Sequence, residues 1–358
     1  MRTDLLDPAT ATAGQVAALH EIETGALAVD EPDHPLPALA DTEALLQEDR
    51  PDQDARHRLV TDGAAPVARA WLGLPTKHNT HTSFLHLVVL PAYRRRGIGT
   101  ALLRDAVADL VAAGRRSILI EADTGTPGAA FCDAYGMEEA QADRSSKLRL
   151  ADVDRDRVAE WAAAAHPGYR LVSWTGRCPD DLVASYGRAK QAMNDAPTGT
   201  MDWSPIEYGE QYVRDEEQTL LSRHRPFFVV AAVHEQTGDV AGFTELAVSE
   251  HSPARAQTED TAVVPAHRGS GLGLWIKAEL VRRLLAERPE VVEVVTRNGL
   301  TNDHMWRINE LLGFRTYATV VERQGKVADL AARLGLPAPT SPDQVRSPDQ
   351  ARSAGSPD

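Results

Sequence analysis

Two stretches of the chain repeat one order of apolar and polar positions. From Leu85 to Gly114, an apolar run, LHLVVL, meets a proline turn, then Arg94-Arg95-Arg96-Gly97-Ile98-Gly99-Thr100, then a helix-period stretch. From Thr261 to Glu287, TAVV meets a second proline turn, then Arg268-Gly269-Ser270-Gly271-Leu272-Gly273, then a second such stretch. Leu102, Leu103, Val107, Leu110 and Val111 share one helical face, as do Ile276, Leu280, Val281, Leu284 and Leu285. The short runs before the turns are Val- and Leu-rich and read as strands. Each helix is followed by another β-like run, Ser117–Ala122 and Val291–Thr296. Two copies of strand–turn–helix–strand in one order argue for a tandem duplication.

Around these copies the pattern predicts helices over Gly14–Leu27, Phe131–Tyr135, Pro179–Met193, Tyr208–Arg223 and Asn302–Leu312, the last closed by Gly313. It predicts strands over Val67–Leu74, Lys147–Leu150, Tyr169–Thr175 and Arg315–Val321. A hairpin, Phe227–His234 with Val240–Val248, turns at Thr237-Gly238-Asp239. Strands mixed with helices indicate α/β or α+β layers. The expected organisation is a first domain over 1–155, a linker over 156–168, a second domain over 169–325 and a tail over 326–358. From Pro337 the tail repeats Ser, Pro, Asp and Gln and has no apolar face to bury, so disorder is expected there.

Composition narrows the function. The 358 residues suffice for two cores. A net charge of −14 argues against a nucleic-acid partner, which needs a basic face. Cys132 and Cys178 are far apart, so neither a disulfide framework nor a metal site is expected. No segment approaches the ~20 apolar residues of a membrane span, and the N-terminus lacks the apolar run of a signal peptide. A cytoplasmic protein, monomer or homodimer, is the expectation.

The repeated turn carries the chemistry. Glycines between a strand and a helix N-terminus expose backbone N–H groups, and the helix dipole adds positive character, so each loop suits a pyrophosphate. An ordinary βα turn that needs glycine for packing is the bland alternative; two matching copies weigh against it. The dinucleotide fingerprint is excluded because Leu102 and Ile276 stand where its third glycine belongs, and neither copy has the G-K-[ST] of a Walker loop.

The R-x-x-G-x-G turn resembles the coenzyme A signature of the GNAT acyltransferase superfamily. Asn302-Asp303-His304-Met305 and Asn309-Glu310-Leu311-Leu312-Gly313-Phe314 are similar to that family's N-x-x-A-x-x-x-Y-x-x-x-G-F helix. The resemblance covers about residues 10–150 and 168–322. It implies two tandem α/β (α+β) domains, each a mixed, mostly antiparallel sheet flanked by helices. It implies acetyl-CoA, or another acyl-CoA, as co-substrate. The thioester would lie between two splayed strands in each half. Main-chain groups of Val88, Val89 and Leu90, and of Val263 and Val264, would pair with pantetheine. The loops Arg94–Thr100 and Arg268–Gly273 would hold the pyrophosphate, with Asn302 and Asn309 beside it.

The chain departs from that family at the tyrosine that protonates the departing thiolate. Cys132 stands there in the first half and Asn309 in the second. Cys132 reads as a core filler or as a thiol near the coenzyme sulfur. General-base candidates are His86 and Glu121 in the first half, and Glu245, Glu259 and Asp260 in the second. A satisfied core histidine and a solvated strand face are the competing readings. Trp203 and Tyr208 are expected to line an acceptor pocket. The resulting expectation is an N-acyltransferase acting on a small-molecule amine by direct transfer, without metal. An acyl-CoA-binding sensor or scaffold, with one or both halves degenerate, is the alternative.

Overall fold

In the computed structural model, which describes residues 1–32 and 34–337, the strands join into a single sheet. The first half supplies β1 (Arg2–Leu6), α1 (Ala13–Asp30), α2 (Leu39–Leu46), β2 (Gln53–Asp62), β3 (Ala65–Pro75), β4 (Phe84–Val89), α3 (Ile98–Ala112), β5 (Ser117–Asp123), α4 (Pro127–Ala134), β6 (Glu138–Arg149) and α5 (Arg155–Ala162). The second supplies β7 (Tyr169–Thr175), α6 (Val183–Lys190), α7 (Glu210–Ser222), β8 (Phe227–His234), β9 (Val240–Val248), β10 (Arg255–Val263), α8 (Leu272–Glu287), β11 (Glu293–Gly299), α9 (Asp303–Leu312), β12 (Arg315–Lys326) and α10 (Val327–Arg333). The strand order is β1-β2-β3-β4-β5-β12-β6-β11-β10-β9-β8-β7. All strand pairs are antiparallel except β4–β5 and β10–β11.

That order holds a reciprocal exchange. β12, the last strand of the second half, pairs with β5 of the first from Val320↔Asp123 to Lys326↔Ser117. β6, the last strand of the first half, pairs with β11 of the second from Glu293↔Arg149 to Gly299↔Asp143. The helices that follow are exchanged too: α10 packs on α3, and α5 packs on α8. Val327, Leu330, Ala331 and Leu334 therefore complete the first core around Leu102, Leu103, Val107 and Leu110. Leu148, Leu150, Val153 and Val158 complete the second, around Ile276, Leu280, Val281 and Leu284. Both expected helical faces are the ones buried, with Val111 and Leu285 at their margins.

Several local expectations change. The short strand expected at Lys147–Leu150 begins at Glu138. Its first part, EEAQADRSS, runs along the seam between the halves, exposed at Glu138 and Glu139, partly exposed over Gln141–Arg144 and buried at Ser145 and Ser146. The span 156–168, read as a linker, is largely α5, which buries Val158 and receives a hydrogen bond from Trp275 Nε1 at the Ala162 carbonyl, 3.0 Å. The span from 326, read as tail, opens with α10 in the first core. Beyond residue 337 the expected tail lies outside the described residues. β1, α2 and β2 have no counterpart in the hydrophobic pattern; β2 alternates charged and apolar positions and its Leu59 joins a small core with α1.

Candidate active site

The two glycine loops share one geometry. Gly97 caps the N-terminus of α3 with φ 81°, and Gly271 caps α8 with φ 76°. This left-handed conformation is cheap only for glycine. It turns the chain so that the first free amides of each helix point out together. Before each loop the strands part. β4 and β5 share one register pair, Phe84↔Leu119. β10 and β11 pair only over Arg255–Gln257. Each half thus has a V-shaped opening that ends at a helix N-terminus, the shape expected for an extended thioester with a pyrophosphate.

The signature arginines do other work. Arg94 Nε donates to the Val89 carbonyl at 3.0 Å, and its guanidinium grips Asp30 at 2.8 and 2.5 Å. Arg268 repeats this on the Val263 carbonyl at 3.0 Å and on Asp195 at 2.5 Å. Both side chains tie the strand end to the loop and are engaged by protein groups, whereas Arg95 and Arg96 of the first loop are exposed. Asn302 caps α9 by accepting from Met305 N at 3.2 Å. Asn309 is fully buried and donates to Asn298 at 2.5 Å. Both asparagines brace the helix beside the opening.

The second half gathers an ionisable cluster under its opening. Lys190, at the end of α6, is 0% exposed and lies 2.8 Å from Glu216, 2.8 Å from Glu245 and 3.0 Å from Asp260. Glu245 sits on β9, Glu216 on α7 and Asp260 on β10. Tyr186 donates to Glu245, and the Asp260 amide donates to the same carboxylate at 3.2 Å. A β-bulge between Thr258 and Thr261 places both Glu259 and Asp260 opposite Glu245. Gly187 lets α6 meet the chain just before α7, since a Cβ there would lie 2.6 Å from the Gly209 carbonyl carbon.

Three carboxylates share one ammonium, so the cluster resists full ionisation. Burial and neighbouring carboxylates outweigh Lys190 and push Glu216 up to about 7 and Glu245 up to about 8. Burial raises Glu259 to about 7 against the pull of Arg225, 3.8 Å away. Tyr208 and Tyr212 pack at 4.7 Å, and burial beside these carboxylates keeps both phenols protonated. Next to the cluster is a cavity of about 360 Å³. Tyr212, Glu216, Glu259 and Asp260 line it from the second half; Arg50, Asp52, Lys77 and His78 line it from the first.

The other candidates lie elsewhere. His86 is half-exposed on β4 and pairs with Glu23 at 3.3 Å. Glu121 pairs with Arg297 across the seam and makes no contact with His86 among the described residues. Trp203 is outside the cavity and packs edge-on against Phe84 of the first half at 6.1 Å. The loop carrying it leaves the second half to cap first-half strands, where Ser204 N donates to Asn79 at 2.7 Å. Cys132 is a core residue, and burial pushes its thiol up to about 11. Lys190, Tyr186, Tyr212 and Glu216 escaped the sequence reading. Their signal was i, i+4 spacing on one face of each helix, Tyr186 with Lys190 and Tyr212 with Glu216.

No helix among the described residues is long and apolar enough to cross a membrane. Residues 16–136 and 193–314 each match the model of the Acetyltransferase (GNAT) family. The chain is 27% identical to the mycothiol acetyltransferase of Mycobacterium avium (strain 104) over 275 residues, covering 72% of this chain and 79% of that one. It is 25% identical to the mycothiol acetyltransferase of Mycolicibacterium smegmatis (strain ATCC 700084 / mc(2)155), covering 74% and 81%. Its fold matches that of a tandem GNAT protein from the clavulanic acid biosynthesis pathway with a TM-score of 0.77, at 26% identity over 91% of this chain and 98% of that one. With one matching segment in each half, the chain belongs to the acetyltransferase (GNAT) family.

Proposed function

We propose that the protein transfers an acetyl group, or a related acyl group, from its coenzyme A thioester to a small-molecule primary amine, directly and within a ternary complex, in the second half. The observation that carries this reading is the Lys190–Glu216–Glu245–Asp260 cluster. It lies beside the bulged strand β10, with a cavity in front of it.

An amine arrives as an ammonium ion and attacks only after losing a proton. Glu216 and Glu259, both raised to about 7, are matched to take it at neutral pH. The amine nitrogen then bonds to the thioester carbonyl carbon. The oxyanion is stabilised by main-chain N–H groups at the open edge of β10. Collapse breaks the carbon–sulfur bond and leaves the amide and a thiolate, which takes up a proton. Asn309 has no acidic proton and Cys132 lies in the first core, so neither serves; Tyr208 and Tyr212 are the phenols beside the base cluster. Lys190 holds the carboxylates together and favours their ionised forms, while burial and mutual repulsion limit how many ionise at once.

Thiol release from acetyl-CoA, measured with a library of amines across pH, tests this reading. Turnover with kcat/KM rising through about pH 7 supports it. Tight acetyl-CoA binding without turnover on any amine would favour an acyl-CoA sensor instead.

A further inference from the structure

Arg50, from the first half, lines the same cavity as Glu216, Glu259 and Asp260 of the base cluster. Among the described residues its guanidinium makes no hydrogen bond. Its nearest carboxylate is Asp52, 3.9 Å from Nε, and that Nε is enclosed and unpartnered. The neighbouring cations are all engaged: Arg223 with Glu48, and Lys77 with Asp215 at 2.5 Å. Both Arg50 and Arg223 line the cavity; burial lowers Arg223, Glu48 offsets part of this, and the nearby Arg50 lowers it further. The rest of the Arg50 side chain is partly open to the cavity, 29% exposed, and Asp52 stands beyond hydrogen-bond distance, so its planar fork is free to take a carboxylate or phosphate.

Resting on the acyl-transfer reading above, we propose that the acceptor carries an anionic group, carboxylate or phosphate, besides its primary amine, and that Arg50 receives this group. The amine would face Glu216, Glu259 and Asp260 while the acid faces Arg50. A zwitterionic acceptor thus matches both signs of charge in a cavity made by two halves. A second ammonium would not match, because Asp52 and Asp215 already face Arg50 and Lys77. Specificity for the second-half reaction is then set in part by a first-half residue.

The test compares ω-amino acids and ω-aminophosphonates with alkylamines and diamines of equal chain length in the thiol-release assay on the full chain. At least one anionic series should exceed the alkylamines in kcat/KM by about tenfold or more, the scale of one charge-assisted hydrogen bond. In Arg50→Gln that ratio should fall toward one. Alkylamines or diamines matching or exceeding both anionic series in the wild type would overturn the proposal, as would an unchanged ratio in Arg50→Gln. The wild-type comparison needs no variant to fold. Absence of turnover on every amine would instead overturn the acyl-transfer reading on which the proposal rests.

Discussion

The halves can be laid over one another by their hydrogen bonds, and the difference falls on the strand pair that faces the acceptor. Leu90 N donates to the Val67 carbonyl, as Val264 N does to Ala241. Counting from these anchors, Trp71 of the first half stands where Glu245 stands in the second. Opposite Trp71 the first half has one residue, His86; opposite Glu245 the second has two, Glu259 and Asp260, because only β10 is bulged. One inserted residue and one Trp-to-Glu exchange separate a plain strand pair from a cluster of carboxylates around a buried lysine. The loops meanwhile stay alike, down to the arginine on the strand-end carbonyl. Loop geometry therefore speaks for thioester binding in either half, and strand geometry for chemistry in the second.

The largest stability effect should come from the buried cation. Lys190→Met removes the buried ammonium shared by Glu216, Glu245 and Asp260 and should cost about 3–5 kcal/mol. Arg69→Met in the first half should cost less, because its partner Glu23 keeps His86 and partial access to water. Urea unfolding of both variants checks this; equal losses would erase the contrast.

The loops should separate next. Gly271→Ala puts a side chain into the left-handed region, 3.2 Å from His166, at about 1–2 kcal/mol of strain, or roughly tenfold in the KM for acetyl-CoA. Gly97→Ala, with open space around its Cβ, should leave that KM in place if only the second half turns over. Steady-state kinetics with titrated acetyl-CoA reads both.

The smallest contrast is in pH. In the first half, burial and then the nearby Arg69 lower buried His57 to about 4, below its ordinary 6.5. The unfolded chain then binds more protons between these values, so this contribution, on the order of 3 kcal/mol at most, is full above about pH 6.5 and is lost as pH falls toward 4. In the second half Glu216 and Glu259 are raised to about 7, so their contribution is present at low pH and lost as pH rises from about 4.5 through 7. His57→Gln should flatten the acid limb of stability against pH and leave the neutral limb alone, as followed by denaturant midpoints.

Legibility in the sequence followed locality. Both loops and the helices behind them were readable because each is a contiguous pattern, a turn signal followed by a 3.6-residue period. The exchange of β6 with β12 was not, because pairing across some 170 positions leaves no local mark. Polar EEAQADRSS reads as a loop until two neighbouring strands take up its backbone groups. Glu245 stood out as an acid in an apolar strand, GFTELAV, and Asp260 was a candidate beside it. Their partners Lys190 and Glu216 looked like ordinary helix-surface charges, since the inward face of a short polar helix shows only when it packs. Trp203 misled for the opposite reason: a large aromatic in a loop suits either a pocket or a seam, and here it closes the seam with Phe84.

The most direct test is thiol release from acetyl-CoA with a responsive amine, compared between the double variant Glu216→Gln/Glu259→Gln and the first-half variants His86→Gln and Glu121→Gln. Transfer in the second half predicts a loss of about 10²–10⁴ in kcat for the double variant with acetyl-CoA binding retained, and changes within about twofold for the other two. A double variant that turns over normally, or a comparable loss in His86→Gln, would contradict it.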